Sequence, residues 1–217
     1  MKPTSKFFVT TALASLLLGT AVAEDKAPDR KVEGTTVTSS HDPAVKVTVP
    51  ATAQYVGAER WDLYGFADAE THVFVEADAQ KKVQRLYWVQ FEGFLPDNER
   101  TYKYPFIETT TLAGLEFDVN RSYGPTNLKS RPGSDRERVF AMVAKAGYQM
   151  PAEQINVRLV HLTDETKRKE LMIIYGEDLA MSKTTTEELN KPGGQEKWEG
   201  QKSALIARAK ERIKVEK

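Results

Sequence analysis

Cysteine is absent from the 217-residue chain. That absence excludes disulfides, thiolate metal sites, cysteine nucleophiles and a lipid-anchored N-terminal cysteine. Net charge is absent as well, with 31 Lys plus Arg against 31 Asp plus Glu. A balanced chain has no broad basic surface for nucleic acid and is not an acidic solvating polymer. Histidine is scarce: His41, His72 and His161 are the only three. A catalytic zinc site usually takes two or three histidines and a carboxylate. Here it would have to be gathered from distant strands, so neither a metal nor a cofactor is expected. No G-x-S-x-G elbow, H-E-x-x-H pair, phosphate-binding loop or dinucleotide fingerprint occurs, which leaves the common hydrolase and nucleotide-binding sites without local support. What remains is the composition of an ordinary globular chain, 40% hydrophobic and 29% charged, with 13 Gly and 10 Pro.

The clearest pattern present is at the N-terminus. Lys2 and Lys6 precede a mostly apolar stretch from Phe7 to Leu18, and Ala21-Val22-Ala23 places small residues where a signal peptidase requires them. This is the order of a cleaved secretory signal, residues 1–23, and the apolar stretch is short for a spanning helix. Cleavage after Ala23 would leave a chain with no second long apolar run. The expectation is an exported protein, periplasmic or secreted, with no transmembrane segment in its mature form.

Residues 24–43 are polar, rich in Thr and Ser and without apolar period, and read as a flexible linker. One domain then fills residues 44–217. Val45, Val47 and Val49 alternate with polar neighbours, as a half-buried strand does. Thr71 to Ala77 and Val83 to Phe91 form a hairpin, and the second arm is apolar on both faces, as in a central strand. Leu115, Phe117 and Val119 alternate again. Ile155 to Leu162 and Leu171 to Tyr175 flank a charged tip. Ser134 and Glu137 form a capping box before the helical stripe Val139, Met142, Val143 and Ala146. A second helix runs from about Gln195 to Ile213, its acids early and its bases late. Short polar turns between strands, with helices set apart from them, define an α+β fold. The expected architecture is one curved, mainly antiparallel sheet of about six to eight strands, with a mid-chain and a C-terminal helix against one face.

Candidate site residues come from three features. The first is an aromatic concentration over residues 61–106, including Trp61, Tyr64, Phe74, Tyr87 and Trp88. Aromatics on a curved sheet either fill the core or line a pocket for a small apolar or amphipathic ligand. The second is the set of isolated polar groups on strands: His72, Arg85, Arg121 and His161. An arginine at a pocket mouth suits an anionic head group. The third is a local basic run, Lys129, Arg131, Arg136 and Arg138, suited to phosphates but interrupted by Asp135 and Glu137.

These features support a non-catalytic domain that binds a ligand or a protein partner in the cell envelope. The alternative is a metal-independent hydrolase whose site joins His72, Glu76, His161 and Arg121. His72 and Glu76 share a strand face but lie roughly 13 Å apart along it, so they are not a dyad by themselves. A third reading makes the C-terminal helix an adaptor.

Overall fold

The computed structural model describes residues 25–106 and 108–217. The expected signal segment, 1–23, lies outside the described residues. The chain runs β1 (Asp25–Lys26), β2 (Lys31–Glu33), β3 (Thr36–Ser40), β4 (Ala44–Thr48), β5 (Gln54–Leu63), β6 (Ala67–Ala77), β7 (Val83–Phe94), β8 (Glu108–Leu112) and β9 (Leu115–Pro125). Then come α1 (Asp135–Lys145), β10 (Glu153–Leu162), β11 (Lys169–Asp178), a 3-10 turn (Leu179–Ser182), α2 (Thr186–Asn190), α3 (Gly194–Arg212) and β12 (Lys214–Glu216).

Eight strands form one sheet in the order β1-β5-β6-β7-β11-β10-β9-β8, and four form a second in the order β12-β4-β3-β2. Every neighbouring pair is antiparallel. The fold is α+β, as the separation of strand runs from helices implied. The β6–β7 hairpin turns at the polar break after Ala77, and β10 and β11 are joined by the charged tip. The two-residue loop between β8 and β9 has Ala113 and Gly114 at φ 51° and 74°. That pair of left-handed residues suits the right-handed twist of a tight hairpin.

The residues read as a flexible linker are strands instead. β2 and β3 pair with each other, and β3 pairs with β4. Each carries a single valine, Val32 or Val37, so no apolar period exists to be read. Val37 is nonetheless fully buried in the core, opposite Val47. Thr36, Thr38 and Ser39 supply the β-favouring or small neighbours that a short strand tolerates.

Strand alternation divides the large sheet into two faces. On the front, Phe74, Tyr87, Val89, Phe91, Val157, Leu159, Ile173 and Tyr175 pack against Val37, Val45 and Val47 of the small sheet and against Leu205, Ala209 and Ile213 of the C-terminal region. On the back, Val73, Val75, Leu86, Trp88, Val160 and Met172 pack against Val139, Met142 and Val143 of α1. The two longer helices therefore cover opposite faces, where the sequence reading had them on one. The reason is that the central strands β7 and β11 carry apolar residues on both faces, Tyr87, Val89, Leu171 and Ile173 on the front and Leu86, Trp88 and Met172 on the back, and each face needs its own cover. A bulge in β5 between Tyr55 and Gly57 lets α1 approach closely. A Cβ at Gly57 would stand 3.2 Å from the Met142 sulfur.

The helix ends follow their caps. The Ser134 hydroxyl accepts the Glu137 amide at 3.2 Å. The Glu137 carboxylate reaches back to the Gly133 amide at 2.7 Å, one residue before the usual capping-box partner. Gly147 leaves α1 with φ 82°. Among the described residues, no helix is long and apolar enough to cross a membrane.

Candidate functional site

The structure scatters the sequence-derived site residues. Trp61 is fully buried on the back face, beneath the Arg138 guanidinium at 4.8 Å. Tyr64 stands at the β5–β6 turn with Arg131 stacked on its ring at 4.2 Å. Trp88 also lies on the back face and donates its indole N–H to Gln90 at 3.0 Å. The remaining residues point to the front. Phe74 is core, its ring centroid 4.9 Å from that of Tyr55. Tyr87 is core too; burial pushes its hydroxyl up to about 12, although Arg212 lies at hydrogen-bond distance. Arg85 pairs with Glu76 at 2.9 Å, and Arg121 pairs with Glu108 at 2.6 Å. His161 contacts the Glu116 carbonyl through Nδ1 at 2.8 Å.

His72 is fully buried and donates from Nε2 to Glu70 at 2.9 Å. Glu70 also accepts the amides of Asp29 and Arg30 and the Arg30 guanidinium. Burial raises the Glu70 pKa, but the hydrogen bonds from His72, Arg30 and Asp29 and the Arg30 charge outweigh it and hold the carboxyl at about 2. This is a clamp that ties the N-terminal segment to β6.

His72, Glu76, His161 and Arg121 do not meet. His72 is on β6 and His161 on β10, with β7 and β11 between them. Three strand spacings separate them by roughly 14 Å. Each of the four is engaged with a different neighbour, so no common point exists for a substrate. Among the described residues, no group of three or more His, Asp and Glu side chains is placed to hold a metal.

Among the described residues, three surface clefts differ in charge content. The first, about 230 Å³, lies between the sheets near Arg30, Arg60, Asp68, Glu70, Asp42 and Lys169. Its charges are matched internally: Arg30 with Glu70 at 3.2 Å, Arg60 with Asp68 at 2.7 Å, Lys169 with Asp42 at 2.6 Å. The second, about 210 Å³, lies beside β9 between Phe106, Arg121, Trp198 and Lys202. Arg121 is the only one of the nine expected ligand-binding residues that lines any of these clefts.

The third is the largest of these three, about 500 Å³, on the back of β9 and β10 where the loop after β9 runs into α1. Lys129, Arg131 and Arg136 line it with Ser122, Ser130, Ser134, Gln154 and Asn156, and no carboxylate does. Arg136 is fixed by the carbonyls of Thr126 and Leu128, by Ser130 and by stacking on Phe140 at 4.4 Å. Arg131 is held by its stack on Tyr64. Among the described residues, none of these three cations has a carboxylate partner within ion-pair distance. The acids expected to interrupt the basic run are turned to other work. Asp135 accepts the Arg136 amide at 2.7 Å and Glu137 accepts the Gly133 amide, both at the start of α1. Helix-start acids satisfy orphan amides and meet the positive end of the dipole. The cleft is left with three cations, three serine hydroxyls and two side-chain amides, a donor set that suits an anion.

The fold and this cleft define a small α+β sandwich with a basic surface pocket. Comparison with protein-family models, curated proteins and solved structures found no match.

Proposed function

We propose that the protein is an exported, non-catalytic binding module of the cell envelope that takes up an anionic ligand or partner group in the cleft between β9, β10 and the start of α1. The observation that carries this reading is the convergence of Lys129, Arg131 and Arg136 in one cleft lined by no carboxylate, in a chain whose overall charge is zero. Cations without a carboxylate partner, two of them, Arg131 and Arg136, held on aromatic faces, keep their electrostatic field available to an incoming anion. The export part rests on Lys2, Lys6, the apolar stretch after them and the Ala21-Val22-Ala23 site.

The test is ligand-dependent stabilisation, because an anion that binds only the folded state raises the melting temperature. Inorganic phosphate and sulfate should raise it above sodium chloride at equal ionic strength. Lys129→Glu with Arg131→Glu should cut the difference to the general salting-out effect of these anions, while the variant still unfolds cooperatively in chloride, at a melting temperature lowered only by loss of the Arg131–Tyr64 stack. The same gain from phosphate and sulfate in the parent and in the double variant would sink the reading. The mass of the protein recovered from its own cells tests export separately: a chain starting at Glu24 is expected, and an intact Met1 chain would oppose it.

A further inference from the structure

The cleft runs along an open strand edge. β8 pairs with β9 only from Leu115 to Val119, where Glu108 stands opposite Val119. β9 continues to Pro125 with β10 on one side. Among the described residues, Ser122 to Pro125 has no strand on its other side. An unpaired edge leaves alternate backbone N–H and C=O groups facing outward, a template for another strand. Natural edges are blunted by a proline, a short length or a cover. Pro125 and the four-residue length limit this one without closing it.

The two sides of that edge differ in chemistry. Its back opens into the cleft with Lys129, Arg131 and Arg136. Its front carries the Tyr123 ring, packed edge-on against Trp198 of α3 at 4.7 Å. Side chains of a strand laid along Ser122–Pro125 would alternate between those two environments.

We infer that the anionic group taken up by the cleft belongs to an extended acidic peptide, which adds to β9 as a further strand with carboxylates at alternate positions and apolar side chains between them. This rests on the anion-binding reading above. Strand addition derives affinity from main-chain hydrogen bonds and specificity from pockets for alternate side chains. Free phosphate would use the cations and leave the edge unused. A peptide uses both, and the alternation of carboxylate and apolar side chain is what tells the two faces apart.

The experiment uses a fluorescein-labelled, capped octapeptide of alternating Glu and Val, and two versions of it. One is N-methylated at every Glu amide and the other at every Val amide. A strand pairs through one of its edges, so only one set of amides is needed. The expected result is binding of the parent peptide, a loss of about tenfold or more on methylating one set, and near-parent binding with the other. Lys129→Glu with Arg131→Glu should abolish binding of the parent, with the melting temperature in chloride as the check on folding. Equal binding of all three peptides would overturn strand addition and leave the anion cleft standing. Stabilisation by phosphate without any peptide binding would overturn it in the same way. Failure of both phosphate and peptide would remove both readings.

Discussion

Glu92 on β7 and Glu170 on β11 are direct cross-strand partners, and each accepts a hydrogen bond from a tyrosine of one covering segment. Tyr102 donates to Glu92 at 2.7 Å and Tyr104 donates to Glu170. Gln90 donates to the other Glu92 oxygen at 2.8 Å, and the Arg158 guanidinium stands 3.8 Å from Glu170. The segment is held by a ladder of rings: Phe94 on Tyr102 at 4.4 Å, Tyr102 on Tyr104 at 6.2 Å, Tyr104 on Phe106 at 5.1 Å. Burial, then the Glu92 and Asp135 charges, push Glu170 up to about 7, against the pull of Tyr104 and Arg158. Burial also raises Glu92. Two carboxyls set side by side away from water hold one proton more readily than none.

That pair sets the direction of pH dependence near neutrality. Glu170 titrates near the ordinary glutamate value of 4.5 when unfolded and at about 7 when folded. The folded state therefore binds more protons across that interval, and stability falls as pH rises through it. The shift corresponds to roughly 3 kcal/mol at most. Denaturant titrations from about pH 5 to about pH 8 should show that decline. Glu170→Gln should flatten it, and an unchanged slope in the variant would show that the proton resides elsewhere.

The Glu70 clamp acts in the opposite direction and at lower pH. Its carboxyl is held at about 2 when folded, against an ordinary glutamate value of 4.5. Its contribution is complete above the unfolded value and is lost as pH falls toward the folded one. Arg30→Ala removes a cation whose side chain is 9% exposed from a carboxylate that is 1% exposed. The expected cost is about 3–5 kcal/mol, the range for a buried charge left without its partner. Urea denaturation at pH 7 measures it, and a loss below about 1 kcal/mol would mean that the amides of Asp29 and Arg30 and His72 suffice to hold Glu70.

Gly176 and Asn156 form a coupled pair. A Cβ at Gly176 would stand 2.6 Å from the Asn156 side-chain oxygen across the β10–β11 ladder. That oxygen is buried without a hydrogen-bond partner. Gly176→Ala should destabilise by about 1–3 kcal/mol through the clash. Asn156→Ala in the same chain should restore most of it, since the two changes share one space. Additive losses in the double variant would place the strain in the strand backbone instead.

Much of the fold was legible because burial imposes period. β4, β6, β9 and β10 alternate or run apolar in ways that strands with a covered face must, and Ser134 with Glu137 marked the start of α1. β2 and β3 were illegible because one valine each makes no pattern. β5 was unread because only Trp61 and Leu63, near its end, are buried, while Gln54 to Arg60 are exposed or half-buried and show no apolar period. The site was harder. Tyr87 and Phe74 carry no mark in the sequence that separates a filled core from a pocket, and they fill the core. Lys129, Arg131 and Arg136 were visible as a basic run, but Asp135 and Glu137 made it look neutralised. Only the cap hydrogen bonds show where those two carboxylates are spent.

The front core has a consequence for how the chain is made. Leu205, Ala209 and Ile213 close that face, and β12 completes the small sheet by pairing with β4. Both depend on residues synthesised long after β4 itself. A polypeptide emerging N-terminus first can cover the apolar front of β7, β10 and β11 only in part, with the valines of β3 and β4, until residues 194–216 follow, and such long-range closure is slow. A truncation just before α3 would leave an open apolar sheet, the form most prone to aggregate.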